Sequence, residues 1–234
     1  MTARVSLVLL ALALLSSAAA AATVRGTLHL PPGAQTVSPV VQAYAGQAAS
    51  LPDPIPIVHG LVTDAVIWIE GIPAPAESAM AAPAKLQMAQ KGQNFVPRVV
   101  AVTVGQVVDF PNFDPIFHNA FSVSPVKRFD LGKYPRGQSR KVLFNKAGIV
   151  QVFCDIHANM AAYIRVVPSR ARTEPDGFGD FAIANVPPGT YTLKVWHPDF
   201  PPLERKIQVP ASGDLELQVD YAAGPRAGVA QDGH

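Results

Sequence analysis

The residues best suited to chemistry lie in one short run, CDIHANM, which sets Cys154, His157 and Met160 at C-x-x-H-x-x-M spacing. Well upstream, a further histidine, His118, stands in DPIFHN. A thiolate and two imidazoles in a trigonal set, with a thioether as weak axial ligand, form the donor combination of an electron-transferring copper site. Soft sulfur favours Cu(I), imidazole accommodates Cu(II), and a geometry between their preferences keeps reorganisation small when an electron moves. Zinc competes poorly, because a thioether is a weak donor for it and structural zinc sites close with Cys and His. In a chain with one Cys, six His and four Met, a His at +3 and a Met at +6 coincide by chance about once in two thousand cysteines.

The N-terminus sets the compartment in which that cysteine would work. Arg4 precedes an apolar run from Val5 to Leu15, and Ser and Ala follow up to Ala22. A basic start, a short apolar stretch and a small-residue finish read as a secretory signal, residues 1–22, cleaved near Ala20 to Ala22. The apolar stretch falls short of the ~20 residues that span a bilayer, and no later segment does better, so no membrane span is expected. The mature chain would act in a periplasm or outside the cell. There a lone cysteine is buried and inert, paired with another chain, or committed to a metal.

The elements that must position these residues are strands. Pro and Gly are so dense that no helix of more than about ten residues keeps a 3.6-residue period beyond the signal. Strand-forming runs bounded by turn residues mark strands at 23–30, 65–70, 99–102, 106–110, 141–144, 148–154, 161–167, 179–183, 190–196 and 204–209. Many short strands bounded by turns mean an all-β sandwich or barrel. Side chains alternate along a strand, so Val150, Val152 and Cys154 share one face, and Met160, Ala162, Ile164 and Val166 share another. Both sulfur atoms thus aim at one end of an apolar core.

Two connectors, 72–85 and 168–175, bracket residues 86–167. The organisation expected is a signal (1–22), N-terminal strands with a linker (23–85), a central domain (86–167), C-terminal strands (168–221) and a disordered tail (222–234). The net charge of +2 falls to about +1 without Arg4, and no block of like charges occurs, so no nucleic-acid or anionic-membrane partner is expected. His29, His59 and His197 lack sulfur or carboxylate neighbours at ligand spacing and read as structural or exposed, as does His234 in the tail. No H-x-H pair occurs, so the multi-histidine clusters of oxygen- or nitrite-reducing copper enzymes are missing and no enzyme is expected.

With these residues in hand, 86–167 resembles a cupredoxin of the plastocyanin and amicyanin type. The resemblance rests on NFVPRVVAVTVGQVVDFPNFD, HNAFS, KAGIVQVFCDIHANM and AAYIRVV, and the short Cys-to-Met loop is similar to that of amicyanin. It implies a Greek-key sandwich with one type 1 copper per chain, His118 as first ligand, and Asn119 tying the ligand loops together. Asp155 departs from the Ser or Thr frequent after the cysteine; its carboxylate would lower the potential or turn to solvent. The flanks, 23–71 and 176–221, resemble a transthyretin-like, carboxypeptidase regulatory-like sandwich in VRGTLHL, TDAVIWIEG and DGFGDFAIANVPPGTYTLKVWHPDF, with the cupredoxin inserted in it or in tandem. The whole resembles periplasmic proteins labelled methylamine utilization proteins.

The function expected is one-electron transfer between redox proteins, by transient contact near His157. Copper storage or delivery would need an exposed cluster of Met or His, and a structural or adhesive module would use copper only to stabilise its fold.

Overall fold

The computed structural model describes residues 21–37, 58–80 and 86–221; residues 1–20 of the expected signal, residues 38–57, part of the first connector and the tail lie outside them. Its longer strands are β1 (Ala22–His29), β2 (Val66–Glu70), β3 (Val99–Thr103), β4 (Gln106–Pro111), β5 (Ser139–Phe144), β6 (Gly148–Phe153), β7 (Ala161–Val167), β8 (Asp180–Val186), β9 (Gly189–His197), β10 (Phe200–Val209) and β11 (Leu215–Asp220). Each segment marked in the sequence is a strand. β11 is additional, and Ala22, next to the expected cleavage point, is already buried in β1. The first connector contains a one-turn helix, Ala74–Ser78, and the second a two-residue strand, Arg172–Thr173.

Chain segments from both ends share the flanking sheets. β1 pairs antiparallel with β8 and parallel with β11, while β2 pairs with β9 and with Arg172–Thr173. These two sheets enclose one core, with Val24, Ile67, Ile69, Leu193 and Val195 at its centre. Between them in sequence, residues 86–167 build their own pair of sheets. One runs Phe129–Asp130, Phe121–Ser122, β6, β7, β3, and the other β5, β4, Leu86–Gln87. Their common core holds Phe110, Phe144, Val150, Val152 and Ile164.

A third apolar cluster joins the two parts. Val66, Trp68 and Trp196 of the flanking sheet meet Val99, Ala101 and Val167 of the central one. This is why β2 and β3 read as unbroken apolar runs rather than as alternating strands: each is covered on both faces. In β3, Val100 and Val102 face the central core while Val99 and Ala101 face the flank.

Candidate metal centre

The antiparallel register of β6 on β7 ends with Phe153 opposite Ala161. Cys154 and Met160 therefore open and close a tight loop, held by Cys154 N–H on the Met160 carbonyl (3.3 Å) and Met160 N–H on the His157 carbonyl (3.0 Å). As strand parity requires, Val150, Val152, Cys154, Met160, Ala162, Ile164 and Val166 are all buried in the central core.

His118 comes from the loop after β4. Asn112 shapes that loop by donating from Nδ2 to the carbonyls of Ile116 (2.9 Å) and Tyr134 (3.0 Å), while its Oδ1 accepts from Asp114 N–H (2.9 Å). His118 then exchanges backbone hydrogen bonds with Tyr134, whose buried hydroxyl donates to the Phe110 carbonyl (2.9 Å). The imidazole is fully buried.

One buried carboxylate fixes the tautomer of that ring. Asp114 Oδ2 lies 2.8 Å from His118 Nε2, and the Asp114 carboxylate also accepts from Gly92 N–H (2.7 Å) and Gln93 N–H (2.8 Å). Burial pushes the Asp114 carboxyl up, but these three hydrogen bonds outweigh it and hold the group below its ordinary value. An ionised carboxylate only accepts, so Nε2 carries a proton and Nδ1 is the nitrogen left for a metal.

That nitrogen faces sulfur. Cys154 Sγ lies 3.9 Å from His118 Nδ1 and 3.9 Å from His157 Nδ1, and all three donor atoms lie within 4.8 Å of one another. The centre of such a triangle is roughly 2.3–2.5 Å from each corner, close to metal–thiolate and metal–imidazole bond lengths. Burial raises the Cys154 thiol, but the two histidines and the N–H groups of Asn119 and Ile156 overcome it and bring it down to about 6. A metal-ready thiolate results. Met160 is buried in the same core cluster, so the donor set His118, Cys154, His157, Met160 fits a type 1 copper site.

Asn119 Oδ1 accepts from Asp155 N–H (2.8 Å), joining the two ligand loops. The Asp155 side chain takes the solvent placement, 3.8 Å from Lys133 Nζ. Asp114 is the functional residue that sequence reading misses. It stands four residues before His118 in the quoted motif, but in a loop that spacing fixes no geometry.

A second group of buried ligand types, Asp64, His197 and Asp199, does not make a metal site. Arg98 already occupies it, with Nη1 2.6 Å from Asp64 and 3.1 Å from Asp199. His197 donates from Nε2 to the Leu61 carbonyl (2.9 Å) and accepts Asp199 N–H at Nδ1 (3.0 Å), so its lone pair is used. His29 sits at the exposed face of β1 against Gln218 (2.9 Å), away from the ligand loops.

No protein-family model and no curated protein matches this chain. Among solved structures it is similar to a copper-containing nitrite reductase from Thermus scotoductus SA-01, at 27% identity and TM-score 0.36 over 41% of this chain. The chain spans 27% of that reductase. It is also similar to amicyanin from Paracoccus versutus (19% identity, TM-score 0.34, 43% of this chain and 97% of that one) and to a purple cupredoxin from Nitrosopumilus maritimus (18%, 0.33, 36% and 100%).

Proposed function

We propose that this chain is a one-electron carrier of the cupredoxin kind, working in a periplasm or outside the cell with one type 1 copper held by His118, Cys154, His157 and Met160. The observation that carries the reading is the convergence of two imidazole nitrogens, each 3.9 Å from one sulfur, at the end of a closed apolar core. Copper bound there supplies a Cu(II)/Cu(I) couple. The protein's part is to hold the donors in one arrangement for both states and to keep water from them. The buried His118, with its ring and backbone both tied down, serves that purpose. The flanking sandwich is read as transthyretin-like, by the resemblance of its strands, and as a support for the central sheets.

Aerobic copper titration of the mature chain tests the reading. One equivalent should bind, with an intense visible band and a reversible potential; colourless copper that moves readily to an acceptor would sink it in favour of delivery.

The electron would leave through His157. That imidazole is half-buried, and Ala158 next to it in sequence is exposed, as are Pro115 and Phe117 on the loop that carries His118, Phe117 at 57%. Such a mildly apolar surface suits brief redox contacts burying less than about 1,200 Å². Placing a charge there, by Ala158→Glu, should slow electron self-exchange about tenfold through like-charge repulsion across the contact. Colour and potential should stay unchanged. An unaltered exchange rate would send the electron out by another face.

A further inference from the structure

We propose that Asp114 is a positioning residue that biases the metal centre toward its oxidised state, an inference that rests on the copper reading above. A backbone carbonyl at the same place would fix the His118 tautomer equally well, so the carboxylate brings something more: a negative charge. Three features describe how this carboxylate is held.

Asp114 is 6% exposed, and no lysine or arginine pairs with it among the described residues; its ion-pair partner is His118. Its two remaining hydrogen bonds come from consecutive backbone N–H groups, those of Gly92 and Gln93. To aim both at the carboxylate, the chain takes φ 62° at Gly92 and φ 54° at Gln93. Gln93 is one of two non-glycine residues among those described with such a φ, a conformation that L side chains rarely adopt. The turn forms a small anion-holding concavity around Asp114.

The consequence follows from electrostatics. A carboxylate accepting from Nε2–H pushes electron density toward Nδ1, which strengthens that nitrogen as a donor. The stronger donor favours the more highly charged metal ion over the less charged one. Because the carboxylate and ring are buried, solvent screens this little. Asp114 therefore lowers the reduction potential without touching the metal.

The test is Asp114→Asn in the full mature chain, loaded with copper, read by visible spectroscopy and by potential. Asn keeps the shape and an accepting oxygen while removing the charge. Losing such a partner costs about 10- to 100-fold in metal affinity. Falling on Cu(II) alone, that raises the potential by about 60–120 mV, at 59 mV per tenfold for one electron. Band position and one-to-one stoichiometry should persist, which a general loosening of the fold would not allow. If the amide variant does not fold, proton NMR of the wild-type Cu(I) form decides: the His118 Nε2–H should give a slowly exchanging, low-field resonance. An unshifted potential, or the absence of that resonance, overturns the inference while leaving a blue wild type intact. A wild type with no blue colour instead removes the copper reading and the inference with it.

Discussion

Cys154→Ser leaves a folded protein with no blue colour. The intense visible band of the expected site arises from charge transfer out of the thiolate, and Cys154 is the chain's only cysteine, so no other residue can supply it. The hydroxyl of serine stays protonated at neutral pH and is a far weaker donor for copper, so the remaining His118 and His157 should hold the ion loosely and almost without colour. The fold should survive. Serine is slightly smaller than cysteine, and it keeps hydrogen-bonding neighbours in the two imidazoles and in the N–H groups of Asn119 and Ile156. A visible spectrum and an electron spin resonance spectrum of the copper-titrated variant measure the first effect, and thermal unfolding of the metal-free form measures the second. A blue variant would show that the wrong ligand had been chosen.

The parts of this site that were legible in the sequence are those where short-range geometry is fixed. Period-two alternation along β6 and β7 places Cys154 and Met160 on the apolar side whatever the rest of the chain does, and a tight loop leaves His157 little freedom between them. The placement of His118 depended on resemblance, because nothing local ties a loop after β4 to a loop after β6; the tie is long-range, through Tyr134 and Asn119. Asp114 was invisible for the same reason, since it acts on His118 only because Asn112 folds the intervening loop back. β11 does alternate at Leu215, Leu217 and Val219, yet only its parallel pairing with β1, at the other end of the chain, gives that alternation a face to bury. The third core, too, is a property of the assembled sheets. The apolar runs VIWIE and VVAVT announce burial on both faces, but not which strands cover them.

The link between the flanking and central parts carries the other large effect. Arg98, just before β3, reaches from the central part to Asp64 and Asp199 of the flank, and its Nη2 lies 3.0 Å from His59 Nδ1. Asp199 is further fixed by Gly60 N–H at 2.8 Å; Gly60 has φ 67°, and a Cβ there would meet the Ala34 carbonyl oxygen at 2.1 Å. Arg98 is 11% exposed in its side chain, and both carboxylates are less so. Arg98→Met fills a similar volume but leaves two buried carboxylates without their cation, and removing one partner of a buried pair costs about 3–5 kcal/mol. The pH dependence identifies the cause. In the wild type, burial raises the Asp199 carboxyl but Arg98, with help from the Gly60 N–H and His197, more than compensates and holds it below its ordinary value, so its contribution is present above the unfolded value and lost as pH falls through the folded one. Asp64 lies the other way, with burial outweighing Arg98. Without the guanidinium both are raised, so they take up protons in the folded state before the unfolded one, and the variant's deficit should shrink as pH falls from 7 toward 5. Denaturant unfolding of the metal-free protein at the two pH values measures this. A deficit below about 1 kcal/mol at pH 7 would mean that water reaches the cluster and replaces the arginine. A deficit equal at both pH values would trace it to lost packing of the arginine over Tyr163, whose ring centroid lies 5.5 Å away, rather than to charge. Tyr163 N–H donates to the Arg98 carbonyl (2.9 Å), three residues after Met160, so the same contact that joins the two parts also anchors the start of the strand leading out of the Cys154–Met160 loop.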